Sequence, residues 1–303
     1  MDRSSTRRHA LPRHALAALA VCGAPAASAA GIDYLDAFRN QLYTQTGSGN
    51  SLTFSSAFYS ADLNSVTPNA YNAVLLIYPG PGSPVSVPEL SPPSTDYRYQ
   101  TPSLPTKAAM DAAFPTGTYF FATDKPDTAS FVYSADDYPQ SHPYLVGSDY
   151  SKLQGMDPAD PFTFHFNHFD TGSMANASFT FLTIYDNTLN AFVFNAGFLP
   201  STTTSVTVPA NTLQFGDAFS YEIDFSNRDF VAGTGANSPP QLGFDVRTDG
   251  IFKTAAAPEF DPASACSAIT LLLGLLAVSR GRQAKQDPVG ARLSSGSPHD
   301  YTQ

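Results

Sequence analysis

The sequence predicts an all-β protein, an antiparallel β-sandwich with short accessory helices. Three observations point there. Phe (23) and Tyr (15) recur with Val, Ile and Thr in short runs that Pro, Gly, Asn and Asp separate, the composition of half-buried strands bounded by turns. In the second half of the chain, apolar and polar residues alternate with a period of two, which puts one strand face in a core and the other in water. Six or seven such runs follow one another at short intervals, the rhythm of two packed sheets.

The elements read as follows. Tyr34, Leu35, Phe38 and Leu42 have the spacing of one helical face, so Ile32 to Leu42 is expected as a short amphipathic helix. Leu52 to Phe58, Ala73 to Tyr78, Thr118 to Thr123 and Ala129 to Tyr133 are expected strands. Pro79 to Pro105 carries eight prolines among small and polar residues and is expected as a long loop or several edge segments. Lys107 to Phe114 makes one or two helical turns that Pro115 stops. Phe162, Phe164 and Phe166 alternate with Thr163, His165 and Asn167, and Ala177 to Tyr185 continues the alternation. Asp186-Asn187-Thr188-Leu189-Asn190 is a hairpin loop leading into Ala191 to Phe194. Thr204 to Val208, Phe219 to Phe225 and Gln241 to Thr248 complete the set. Two β-rich units, 30–150 and 151–256, are expected, with the boundary between Ser148 and Asp157, because Pro158 and Pro161 interrupt any continuous element there. The competing arrangement is one larger sandwich to which Ile32 to Tyr78 contributes strands.

Charge narrows the function classes. From Gly31 to Ala256 there are 8 Lys and Arg against 21 Asp and Glu, a net charge near −13. Such a surface repels nucleic acid and anionic lipid, and no basic patch with interleaved aromatics offsets it. The two cysteines, Cys22 and Cys266, lie outside this segment, so it carries neither an internal disulfide nor a thiol nucleophile.

Both ends carry targeting features. Arg3, Arg7, Arg8 and Arg13 precede a short apolar core, Ala15 to Cys22, and Ala27 and Ala29 put small residues before a cut after Ala29. Residues 1–29 are therefore expected as a secretory signal peptide cut by signal peptidase, with Ala27 and Ala30 as alternative cut points. At the other end, Ala263 to Val278 is an apolar run followed by Arg280, Arg282 and Lys285. It is expected as a marginal transmembrane helix, a temporary or permanent inner-membrane anchor with its basic end in the cytoplasm. Residues 286–303 continue as a tail.

Pro258-Glu259-Phe260-Asp261-Pro262, the leucine-rich Thr270-Leu271-Leu272-Leu273-Gly274-Leu275-Leu276 and the basic Arg280-Gly281-Arg282 make 257–285 resemble a PEP-CTERM sorting signal. The resemblance implies export by a Gram-negative bacterium, with Pro258, Glu259 and Phe260 as the motif recognised by exosortase, a membrane enzyme. It implies Arg280 and Arg282 as the cytoplasmic cluster, and delivery to the cell surface or extracellular matrix. The third motif position is Phe260 where the family commonly has proline. Within 151–256, Val208-Pro209-Ala210-Asn211-Thr212-Leu213, Phe215-Gly216-Asp217 and Tyr221-Glu222-Ile223-Asp224-Phe225 resemble Ig-like or fibronectin-III-like modules of bacterial surface proteins. That likeness implies an Ig-like sandwich whose core, without tryptophan or a cysteine pair, is filled by phenylalanine.

Candidate chemistry is sparse. His165 and His168 lie three apart on a strand and so point to opposite faces; zinc needs three or four convergent ligands, and His142 and Asp170 could join only through folding. Asp124, Asp127, Asp136, Asp137, Asp157 and Asp160 offer loop oxygens to calcium, without the twelve-residue calcium-loop pattern. Glu222 and Asp224 share one strand face, as a glycosidase pair or as its ordinary polar side. Asn176-Ala177-Ser178 matches the minimal glycan acceptor. Tyr97, Tyr99, Tyr138, Tyr144 and Tyr150 are candidates for stacking on sugars or for the core. With no assembled reactive set, the expectation is a non-catalytic surface or matrix protein without a cofactor. The alternatives are a carbohydrate-binding module protein and a hydrolase acting on extracellular polysaccharide, the glycan being the partner in both.

Overall fold

A computed structural model of the chain describes residues 31–172 and 177–258. The signal peptide expected over 1–29, the acceptor Asn176 and everything from Glu259 onward lie outside the described residues. The first half contributes β1 (Ile32–Gln45), β2 (Leu52–Ser65), β3 (Val74–Ile77), β4 (Val85–Ser86), β5 (Asp96–Gln100), α1 (Lys107–Ala113), β6 (Gly117–Thr123) and β7 (Thr128–Tyr133). After α2 (Asp149–Leu153) come β8 (Phe162–His165), β9 (Ala177–Asp186), β10 (Ala191–Asn195) and β11 (Leu199–Pro200). The chain continues through β12 (Ser205–Val208), β13 (Ala218–Phe230), β14 (Gly233–Thr234) and β15 (Gln241–Lys253). The described protein is thus predominantly β, with two short helices.

One large sheet organises it, in the order β10-β9-β13-β15-β1-β2-β5, with β11 beside β9. β1 pairs with β15 in parallel and every other pair is antiparallel, so the sheet is mixed where a purely antiparallel one was expected. A five-stranded sheet, β14-β7-β6-β3-β4, and a two-stranded one, β12-β8, pack on the same face of it.

Strand β1 replaces the helix expected over Ile32 to Leu42. Its apolar residues fit a helical period, yet the set that enters the core is Leu35 and Ala37, continued by the buried Arg39 and Gln41 at a spacing of two. Hydrogen bonding to β15 on one edge and β2 on the other decides the matter, tertiary pairing overriding a weak local preference. The helix expected before Pro115 does form: α1 is capped by the Thr106 hydroxyl, which accepts from the Ala109 amide at 3.0 Å. Within the proline-rich stretch 79–105, β4 and β5 are short edge strands.

Aromatics fill the core that tryptophan and cystine do not. Under the five-stranded sheet, Tyr59 stacks on Phe114 (4.3 Å between ring centres) and Tyr119 on Phe131 (5.1 Å). Under β8 and β12, Phe169 stacks on Phe225 at 4.6 Å and Phe164 meets Tyr221 edge-on. Arg39, the one cation on the core face of β1, is paired with Asp111 (2.8 Å) and Asp136 (2.6 Å) and lies 4.5 Å from the Tyr133 ring, which offsets its burial. The two packed regions meet at Gln45, the end of β1. Its Oε1 accepts from the Leu145 amide and the Tyr221 hydroxyl, both at 2.9 Å.

The membrane expectation is corrected. Among the described residues no helix is long and apolar enough to cross a membrane, where a transmembrane helix and an inner-membrane anchoring stage were expected. The longest described helix, α1, has 7 residues, far fewer than the roughly 20 a spanning helix needs. The segment named for the anchor, Ala263 to Val278, lies outside the described residues.

Candidate functional site

The large sheet has a second face, and its chemistry is set by alternation. On β13 the residues Phe219, Tyr221, Ile223 and Phe225 enter the core, so Ser220, Glu222, Asp224, Ser226 and Arg228 project from the opposite side. On β15 the core takes Leu242, Phe244, Val246 and Phe252, leaving Gly243, Asp245, Arg247, Asp249 and Ile251 on that side. Register then aligns rows across the strands: Ser226, Asp245, Asn40 and Phe58 form one, and Phe181, Asp224 and Arg247 another.

Arg247 is the hub. Its guanidinium approaches Asp245 (3.1 Å), Asp224 (3.3 Å) and Glu222 (3.7 Å). Asp245 is fully buried and also accepts from the Ser226 hydroxyl at 2.6 Å, with Arg228 3.5 Å away. Toward β5, Arg98 grips Asp62 with two bonds of 2.7 and 3.0 Å. Two cavities open on this face with Arg247 lining both. One, of about 290 Å3, is walled by Phe38 and Phe58 around Asn40. The other, of about 560 Å3, has Glu222, Arg247 and Asp249 in its lining with Tyr185, Phe192 and Ile251.

Beside the charged rows runs an aromatic strip on β9 and its neighbours. Phe198 packs edge-on against Phe179 (5.4 Å) and Phe181 (4.6 Å), and Phe192 against Tyr185 (5.1 Å). Phe192 is 72% exposed and Phe198 71%. Exposed aromatics gathered beside a cavity mark a contact surface more often than single exposed residues do.

Crowding of acids shifts their protonation. Burial, with the charge of Asp62 adding, pushes Asp36 up to about 6 from the ordinary 3.8, and burial with Glu222 does the same to Asp249. Asp224 is pushed well above the usual carboxylate range by burial and then by Asp245; Asp62 and Asp137 also rise through burial. These pKa values lie above their unfolded values, so the folded chain binds more protons between about pH 4 and 6 and loses stability as pH rises through that window. His142 works the other way, its pKa being lowered by burial against Tyr43. The carboxylates outnumber it, so the melting temperature is expected to be higher at pH 5 than at pH 7, with a smaller difference in Asp36→Asn. A melting temperature that is equal or lower at pH 5 contradicts this.

The expected site residues are dispersed. His165 is exposed and bonds Asp149 through Nδ1 at 2.8 Å, His142 lies against Tyr43 at 4.4 Å, and His168 stands in the loop beyond β8. Among the described residues no group of three or more His, Cys, Asp or Glu could hold a metal ion. The loop acids serve turns and ion pairs. Asp124 accepts from Asn72 at 2.8 Å, Asp157 from the Ala159 amide at 2.8 Å, and Asp136 pairs with Arg39 and Lys107. Tyr97 is in the core, its hydroxyl bonded to the backbone of Tyr71, and Tyr138 is buried beside Phe244. The segments of His142 and of His168 and Asp170 run side by side, the Ser141 hydroxyl donating to the His168 carbonyl at 3.1 Å and accepting from the Asp170 amide at 2.9 Å, whereas Glu222 and Asp224 share an arginine on the open face. Arg247, the arginine on Glu222 and Asp224, is absent from the sequence-based expectations, as are Asn40, Arg228, Asp245 and the aromatic strip on the same face.

No protein-family model matches the chain, and no curated protein matches it. Among solved structures it is similar to the BSP domain of a biofilm-associated protein at 12% identity, over 76% of this chain and 29% of that one, with a TM-score of 0.19. The trypsin-activated alpha-2-macroglobulin of Escherichia coli matches at 12% identity over 75% of this chain and 16% of that one, TM-score 0.21. A DUF3823 family protein from Parabacteroides merdae matches at 12% over 70% and 99%, TM-score 0.19. The chain thus spans under a third of the first two proteins. Likenesses this low carry no argument about fold or function.

Proposed function

We propose that this is an exported, non-catalytic protein that binds extracellular polysaccharide along the open face of its large sheet. The observation that carries the reading is Phe192, 72% exposed, lining a 560 Å3 cavity together with Glu222, Arg247 and Asp249. An aromatic ring offers a sugar an apolar stacking surface, while carboxylate and guanidinium groups accept from and donate to its hydroxyls. Phe198, Phe179 and Phe181 extend the platform along β9. The acids support binding better than hydrolysis. Glu222 and Asp224 lie on one strand and lean on the same arginine, whereas a glycosidase pair flanks the bond it cleaves. The same reading takes β8 and β12 over β9, β13 and β15 as the Ig-like two-sheet element. It also takes Pro258, Glu259 and Phe260 as a sorting motif for an exosortase-like enzyme. Mass measurement of the mature carboxyl terminus tests the latter; a surface form that keeps Leu271 to Arg282 contradicts it.

The binding reading is tested by the affinity of the full chain for immobilised polysaccharide from its host. Replacing Phe192 and Phe198 together by Ala is expected to weaken binding at least about tenfold. The melting temperature should hold within about 3 °C, since exposed side chains contribute little to stability. Unchanged affinity in the double variant overturns the reading.

A further inference from the structure

The smaller cavity carries groups that the aromatic platform leaves unexplained. Asn40 is 1% exposed, lines this cavity, and among the described residues has no hydrogen-bond partner for either side-chain atom. Leaving such a buried amide unpaired is costly, so a partner is called for. Arg228 repeats the pattern, its Nη1 buried and unpartnered. That guanidinium lies 4.3 Å from the Phe38 ring and across Gly243, where a Cβ would stand 2.0 Å from Nη1. A side chain at position 243 would push Arg228 off the sheet, so the glycine makes its seat.

The cavity's carboxylates are already engaged. Asp62 is gripped by Arg98, and Asp245 takes Ser226, Arg228 and Arg247. Apart from Arg247 Nε, which lies 3.3 Å from Asp224, the lining side chains leave free and buried, among the described residues, a pair of donors, Asn40 Nδ2 and Arg228 Nη1, with one acceptor, Asn40 Oδ1. Three arginines and two aspartates line the space, and Arg247 is also held by Asp224 and Glu222, so the guanidinium edge left open to a ligand is that of Arg228. Two donors and a positive charge suit a planar anion with two oxygens, and the spare acceptor suits a neighbouring hydroxyl. At about 290 Å3 the space is near the lower end for small-ligand sites, room for one sugar ring and not for a chain.

We propose that the cavity around Asn40 and Arg228 is a subsite for the carboxylate of an acidic sugar, so that the glycan bound on this face contains uronate residues. This rests on the glycan reading above and names the class of sugar.

Isothermal titration of the full chain with tetrasaccharides of glucuronate, galacturonate and mannuronate, each beside its carboxyl-reduced neutral form, tests it. At least one acidic form should bind about tenfold tighter than its neutral counterpart, the scale of one charge-assisted hydrogen bond. Asn40→Asp, which puts a negative charge beside the ligand carboxylate, should abolish that preference, so that the acidic form binds no tighter than its neutral counterpart. The comparison of acidic with neutral ligand needs no variant, so it decides even if the substitution unfolds the chain. Equal affinity for both forms overturns the carboxylate subsite and leaves the glycan reading standing. Binding by none of the six overturns both.

Discussion

Residues 150–256 expressed alone are expected to aggregate or to remain molten, whereas residues 31–256 melt in a single cooperative transition. The reason is the place of β15. It is hydrogen-bonded to β13 on one edge and to β1 on the other, from Asp36 opposite Gln241 to Thr44 opposite Asp249. Removing the first half exposes that edge from Gln241 to Asp249, a template for intermolecular pairing. It also uncovers Leu242, Phe244 and Val246, whose core partners come from β1, β2, β6 and β7. At the junction, the Tyr221 hydroxyl loses Gln45, and a buried polar group left unpaired costs about 1–3 kcal/mol. Differential scanning calorimetry decides the matter. A soluble 150–256 fragment with its own sharp transition would mean that β1 is dispensable to the second core.

Asp245→Ala is expected to destabilise the protein by about 3–5 kcal/mol, the usual consequence of removing one member of a buried charge pair. Asp245 is fully buried and faces two arginines and a serine hydroxyl. Arg247 would retain Asp224 and Glu222, but Arg228, with its side chain 10% exposed, would lose the carboxylate it faces. Asp245→Asn keeps the shape and the contact with Ser226, so its loss should be smaller. Urea denaturation gives both numbers. A loss below about 1 kcal/mol for the alanine variant would show the arginines to be solvated and the cluster to be an ordinary surface one.

What could be read from the sequence was what local pattern carries. The strands of the second half were legible because Phe162-Thr163-Phe164-His165 and Ala177 to Tyr185 alternate at period two, and α1 because Pro115 closes it. The first strand was not, because Tyr34, Leu35, Phe38 and Leu42 satisfy a helical period and nothing local records that β15, some two hundred residues later, is its partner. The site divides along the same line. Glu222 and Asp224 sit two apart on one strand, so their shared face could be deduced. Arg247 and Asp245 join them only through the β13–β15 register, and Asn40 only through the parallel pairing with β1. One signal was available within the strands themselves: Glu222-Ile223-Asp224-Phe225 and Phe244-Asp245-Val246-Arg247 each set charge against apolar residues at every other position. Two adjacent strands of that kind make a charged face whichever register joins them.

The most direct test of the central claim is an amide chemical-shift titration of the full chain with the polysaccharide fragment that binds it. Binding at the open face predicts shifts concentrated in Phe179–Tyr185, Phe192, Glu222–Arg228 and Gly243–Ile251, with those of Tyr119–Phe131 unmoved, since the latter lie in the sheet packed on the opposite side. Shifts centred on the five-stranded sheet, or spread evenly over the protein, would contradict it.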